Sequence, residues 1–224
     1  MTNFNIKISN GSRNDVIDYI KKMKTNNELF TVIDVGGSLN GWSFEYIDAL
    51  VDFNSPNFPQ DNKLLIKYFN MDITHPDSWL EILDYVKDNG KFDFCICTHT
   101  LEDIMNPVYV CEQIQKIAKG GYVAVPSKYR ELSRFEIGQN SYRGYIHHRW
   151  IFDIKNNIFV GYPKINYLDC TDVFDTIADF DINKYDLSFF WKDNIDIIYV
   201  NENYLGPNIN SVIHYYNNLL TSEI

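Results

Sequence analysis

Thr31-Val32-Ile33-Asp34-Val35-Gly36-Gly37-Ser38-Leu39-Asn40-Gly41-Trp42 is an apolar run that ends on a carboxylate and then turns through glycines. A buried strand followed by such a turn is how the first strand of an open α/β sheet holds a nucleotide-type ligand. Glycine at the turn reaches backbone angles closed to other residues, and its missing side chain lets a ligand approach the main chain. The pattern repeats further along the chain. Leu50-Val51 ends on Asp52, 18 positions after Asp34. Leu65-Ile66-Lys67-Tyr68-Phe69-Asn70 ends on Met71-Asp72-Ile73-Thr74, and Phe92-Asp93-Phe94-Cys95-Ile96-Cys97 ends on Thr98-His99-Thr100-Leu101-Glu102-Asp103. Polar residues therefore recur at the carboxyl ends of successive strands, where open α/β sheets bind ligands.

The turn argues against a dinucleotide. Gly36, Ser38 and Gly41 occupy the three glycine positions of that fingerprint, and Ser38 puts a side chain where a pyrophosphate must meet bare backbone. Asp34 would repel phosphate and attract an ammonium, which S-adenosylmethionine (SAM) carries without any phosphate. The ordered series Val32-Ile33-Asp34-Val35-Gly36-Gly37, Asn70-Met71-Asp72-Ile73 and Phe92-Asp93 through His99-Thr100-Leu101-Glu102-Asp103 resembles the class I SAM-dependent methyltransferases over roughly residues 30–126. The chain departs from their Gly-x-Gly-x-Gly by having Ser38 and Asn40 after Gly36. The resemblance implies that Asp34, Gly36 and Gly37 hold the methionine end, Asp52 the ribose and Asp72 the adenine amine. It also puts Thr98 and His99 on the wall nearest the sulfonium, with Ser38 and Ile73 among the cofactor-binding residues and S-adenosylhomocysteine as the product. Singly, each of these residues reads as a turn glycine, a helix cap or a loop carboxylate; four coincident strand ends favour the cofactor. Cys95 and Cys97 share one face of an apolar strand and are expected in the core.

The expected fold is α/β, a single doubly wound, mostly parallel seven-stranded sheet with an antiparallel last strand and an inserted hairpin region after strand five. One domain spans residues 1–224, with its core at about 14–126 and 168–201 and a substrate-facing insertion at about 127–167. Helices are expected at 14–24, 43–47, 76–87 and from Pro107 to Lys119. Leu187–Lys192 and Ile195–Val200, turning at Asp193-Asn194, are expected to supply strands six and seven. A hydrophobic content of 45% fills a core for 224 residues. No stretch approaches the roughly 18 apolar residues that cross a bilayer, and the first residues lack the order of a secretion signal. Four cysteines without a Cys-x-x-Cys pair fit a reducing compartment, so a cytoplasmic protein is expected.

The insertion is chemically distinct. Of five arginines, Arg130, Arg134, Arg143 and Arg149 lie within twenty residues, beside Lys128, His147 and His148. Guanidinium forks match phosphate or carboxylate oxygens, so a small phosphate- or carboxylate-bearing substrate is expected; the plainer alternative pairs them with surface acids. A net charge of −10 opposes nucleic acid as a partner. Sixteen tyrosines and fifteen phenylalanines leave room for a homo-oligomeric contact. A hairpin is read from Tyr145 to Val160, turning at Asn156-Asn157. Strand alternation then directs His147 and Arg149 to the site and leaves His148 in a satisfied core position at the margin of the substrate-binding set. Adjacent histidines in a strand point apart, so no metal is expected. For methyl transfer to a hydroxyl, such as that of a sugar or nucleotide-linked sugar, His99, His147 and Asp103 are the catalytic candidates, with Glu131 a further carboxylate. A noncatalytic scaffold subunit and, behind it, an NAD-dependent oxidoreductase are the alternatives.

Overall fold

In the computed structural model, which describes residues 5–9, 13–53, 66–134, 141–175, 182–200 and 209–221, the quoted run forms strand β2, Val32–Val35, buried along its whole length. β3 (Ala49–Asp52) pairs with it in parallel on one side, and β4 (Lys67–Asn70) pairs in parallel with β3 beyond. β5 (Phe94–Thr98) and β6 (Gly120–Pro126) continue the parallel sheet on the other. Such strands carry side chains into a core on both faces, which is why they read as continuous apolar runs. Helix α1 (Arg13–Asn26) buries Val16 and Ile20 against one face. Helices α2 (Leu80–Asn89) and α3 (Pro107–Ile117) cover the other through Ile82, Val110 and Ile114. The sheet is therefore doubly wound as expected. Gly90, at φ +85°, ends α2, and Asn106 caps α3 by accepting the Tyr109 amide at 3.1 Å.

Two strands complete the sheet to seven, and one differs from expectation. β9 (Asp186–Lys192) runs antiparallel beside β6. The strand outside it is β1 (Asn5–Ser9) from the start of the chain, not the segment after Asp193. That segment turns sharply at Asp193, φ +65°, and leaves the sheet. Its short strand β10 (Ile197–Tyr199) pairs in parallel with β8 (Ile158–Pro163), itself the second arm of a hairpin with β7 (Trp150–Lys155). With β1 already on β9, the open edge of β8 takes the departing chain. The hairpin turns at Asn156-Asn157 as read, with φ +52° and +61°, the pair of positive values that a two-residue type I′ turn requires.

The small sheet thus draws on 150–163 and 197–199, and helix α4 (Ile209–Thr221) closes it from outside through Val212, Tyr215, Tyr216 and Leu219. Phe152 and Phe159, stacked 4.5 Å apart, join it to the main core at Phe189. The expected helix at 43–47 is a run of turns. Gly41, Phe44 and Tyr46 each donate to the carbonyl three residues back, and the Ser43 hydroxyl is drawn to Asp34. The loop between β3 and β4 lies largely outside the described residues. Cys95 and Cys97 are in the core as expected.

Candidate functional site

The carboxyl ends of the parallel strands carry two groups of polar residues. In the first, Asp34 is 2% exposed at the end of β2 and accepts a hydrogen bond from Ser43, while its Oδ1 is buried with no hydrogen-bond partner among the described residues. Burial pushes its pKa up to about 7; the Ser43 bond works against this and the nearby Asp52 carboxylate adds to it. Gly37 makes this geometry possible, because a Cβ there would collide with the Asp34 carboxylate. Gly36, at φ +83°, has the Thr100 side chain where its Cβ would be. These glycines admit parts of the protein itself rather than opening the backbone to a ligand. Ser38 accepts the Gly41 amide through its carbonyl at 2.8 Å, shaping the same turn.

Asp52 spends Oδ1 on the amide of Phe53 at 2.8 Å, and its carbonyl accepts the Met71 amide at 3.0 Å, tying the ends of β3 and β4 together. Asp72 takes both the amide and the hydroxyl of Thr74, at 2.8 and 2.7 Å. Those bonds hold its carboxyl below the usual range. Asp34 and Asp52 are thus within electrostatic reach of each other, whereas Asp72 is engaged in its own turn. Ile73 is buried in the core beside Met71.

The second group lines a cleft of about 660 Å³ between the ends of β5 and β9, the start of α1 and the 141–149 segment. His99 follows Thr98 directly, at φ +51°, a left-handed angle that histidine tolerates better than most residues. This places its ring between two carboxylates, Nδ1 3.4 Å from Glu102 and Nε2 3.5 Å from Asp186. Burial alone would lower its pKa, but the two carboxylates outweigh it and raise the value to about 10. A ring so placed favours its positively charged form near neutrality, paired with the two carboxylates. Burial raises the pKa of Glu102, against the pull of His99. The backbone of 141–149 is latched to the loop after β5: Arg149 N donates to Glu102 O at 2.7 Å, and Trp150 Nε1 to Ile104 O at 2.9 Å.

Tyr145 to His148 form a turn, with the His148 amide donating to Tyr145 O at 3.2 Å, and the strand read there begins only at Trp150. The alternation that was to separate the two histidines therefore does not operate. His147 is exposed and His148 is 8% exposed, yet both turn Nε2 toward Asp103 Oδ1, at 3.8 and 3.6 Å.

The arginines separate by environment. Arg143 is fully buried and donates to the carbonyls of Leu132, Leu168 and Thr171 and to Asp175. Arg134 likewise donates to Asp169 O, Thr171 O and Asp175. Both hold the 169–175 loop instead of facing the cleft, which corrects their assignment to the substrate. Arg130 is buried, stacked 3.3 Å over the Tyr185 ring and bonded to the Tyr145 hydroxyl, so it braces the cleft wall from behind. Arg149 remains exposed beside His148. Lys128 is buried against Asp153 at 3.2 Å and the carbonyl of Leu219.

Six residues of the cleft had no role assigned from the sequence: Arg13, Asn14, Glu102, Tyr145, Tyr185 and Asp186. Asp186 opens a strand whose apolar pattern points to Leu187, Arg13 and Asn14 lie at the distant start of α1, and the tyrosines carry no local signal.

An open, doubly wound α/β sheet with polar residues gathered at the carboxyl ends of its parallel strands is a Rossmann-like ligand-binding fold. No family model matches the chain, and no curated protein matches it. Among solved structures it is similar to the N-terminal domain of EvdMO1 in the presence of SAH and D-fucose, with 11% identity and a TM-score of 0.43 over 80% of this chain and 82% of that one. It is also similar to the methyltransferase domain of bacterial CtHen1-C, with 11% identity and a TM-score of 0.41 over 81% of this chain and 98% of that one. A SAM-dependent methyltransferase from Mesorhizobium loti shares 11% identity at a TM-score of 0.34, over 82% of this chain and 72% of that one. At such scores, function has to be read from the chain's own side chains.

Proposed function

We propose that this protein is a SAM-dependent methyltransferase. The observation that carries the reading is the buried Asp34 oxygen without a partner beneath the Gly36-Gly37 turn. A buried carboxylate held partly neutral by its surroundings calls for a cation, and the ammonium of an amino-acid-bearing cofactor supplies one without a phosphate. Asp52 accepts from ribose hydroxyls, and Asp72, just past the neighbouring strand end, is within the same edge for an adenine amine. Thr98 and His99 stand between this group and the cleft. SAM supplies a methyl group made electrophilic by its sulfonium; the chain's task is to hold an acceptor in line with it and exclude water.

The acceptor reading is a hydroxyl on a small molecule such as a sugar or nucleotide-linked sugar. Carboxylates, imidazoles and the Tyr145 and Tyr185 phenols alternate around the cleft, an array of donors and acceptors suited to a polyhydroxylated ligand. Arg13 in the cleft and Arg149 outside it are the cations available to a phosphate or carboxylate on that ligand. His99, already protonated, orients the acceptor and steadies negative charge. Asp103 and His147 at the mouth are left to deal with the hydroxyl proton.

Calorimetric titration of the purified chain with SAM, S-adenosylhomocysteine and NADH tests the first claim. Binding of the first two and not the third is expected; binding of NADH alone overturns it. Transfer of a labelled methyl group, screened across sugars and nucleotide sugars, then identifies the acceptor, and label on nitrogen or carbon overturns the hydroxyl reading.

A further inference from the structure

We propose that Asp103, His147 and His148 form a binding site for one divalent transition-metal ion at the mouth of the cleft. Their ligand atoms all lie within 4.8 Å of one another. The separations of the two Nε2 atoms from Asp103 Oδ1, 3.8 and 3.6 Å, are too long for hydrogen bonds. They are close to the roughly 3.4 Å that separates two ligands of one tetrahedral ion at bonds of about 2.1 Å.

Glu131 gives the second, independent observation. It is fully buried, and its Oε1 lies 2.7 Å from His148 Nδ1. A carboxylate only accepts, so Nδ1 carries the proton of that bond, and in the neutral ring Nε2 presents its lone pair to the cleft. Lys164, 2.8 Å from the other Glu131 oxygen, fixes the carboxylate in turn. A histidine held at one nitrogen by a buried carboxylate, with the other nitrogen turned outward, is how protein sites orient an imidazole for a metal. Here the outward nitrogen faces the Asp103 oxygen and a second imidazole, an electron-rich trio that a cation completes. Glu102, whose buried Oε2 has no hydrogen-bond partner among the described residues, adds negative charge to the same cleft.

Two imidazoles and one carboxylate select ions of the zinc, cobalt or manganese kind over magnesium and calcium, which prefer oxygen. Three protein ligands leave a coordination position open. The inference deepens the methyltransferase reading: an ion held by these three residues in the lining of the cleft would take the acceptor hydroxyl and lower its pKa. The three side chains would then act as ligands and not as a free base.

The test uses the whole chain stripped of metal by a chelator and titrated with Co2+, followed by its visible absorption, and with Zn2+ by calorimetry. One equivalent of each is expected, Mg2+ binding at least about tenfold more weakly. Asp103→Asn and His147→Ala, both at exposed positions, are expected to weaken Co2+ and Zn2+ by at least about tenfold each. Glu131→Gln, which keeps the shape but alters the bond to His148, is expected to weaken them about 10–100-fold. Absence of stoichiometric binding, or binding that both Asp103→Asn and His147→Ala leave unchanged, overturns the site. SAM titration of the same metal-free protein separates the two claims: SAM binding without metal binding removes only this inference, and metal binding without SAM binding removes the methyltransferase reading while the site stands.

Discussion

Asp72 and His99 both stand at the carboxyl end of a parallel strand, yet they are held in opposite ways. Asp72 is bonded to Thr74, two residues along, in a turn that any short peptide could approximate. His99 is clamped by Glu102 from its own loop and by Asp186 from a strand 87 positions further on. The edge at β3 and β4 is built from local turns; the cleft around His99 is assembled from distant pieces through buried charge. The lesson is that local chemistry can mark one polar strand end, while the other exists only once the sheet has formed.

The largest effect is expected where that long-range clamp is removed. His99→Ala should lower turnover about a thousandfold and leave SAM affinity within about threefold. Label transfer and calorimetry on the same preparation check both, and a fall in SAM affinity matching the fall in turnover would join the two halves that the comparison separates. Arg143→Ala comes next, since it strips three carbonyls and a carboxylate of a fully buried donor. About 3–5 kcal/mol of stability should be lost in urea unfolding. An unchanged midpoint with poorer acceptor affinity would instead return Arg143 to the site.

Asp34→Asn should weaken SAM about 10–100-fold, the value of a charged hydrogen bond. It should do so without lowering the melting temperature at about pH 8. The sign follows from the raised pKa of Asp34: its contribution is full below the unfolded value of 3.8 and is lost as pH rises through about 7, where a buried negative charge forms. The parent should therefore soften between about pH 4 and pH 7 relative to Asp34→Asn. His99, also raised, acts in a later window: its contribution is full below 6.5 and is lost as pH rises through about 10. Melting curves of the parent, His99→Ala and Asp34→Asn across that range separate the two groups. Asp72→Ala should have the smallest effect, about 0.5–1 kcal/mol of stability with SAM affinity a few-fold weaker.

The same division governs what could be read from sequence. Gly36 and the Asn156-Asn157 turn were legible because each answers a local backbone demand. The parallel strands were legible because burial on both faces leaves an unbroken apolar run. The partner of Ile197–Tyr199 was not, since whether a strand joins one sheet or another depends on which edge is already taken. Asn5–Ser9 did carry a faint signal in the alternation of Ile6 and Ile8, and α4 another in the spacing of Val212, Tyr215, Tyr216 and Leu219. The arginine cluster misled because proximity in sequence says nothing of which carbonyls will need a donor. Among the described residues no helix is long and apolar enough to cross a membrane.

Asp186 is the register partner of Pro126 on one side and of Ser9 on the other. The clamp on the central imidazole is thereby bolted to the outermost strand, so mechanical load or a bulky fusion placed ahead of Asn5 would be transmitted toward the reacting centre.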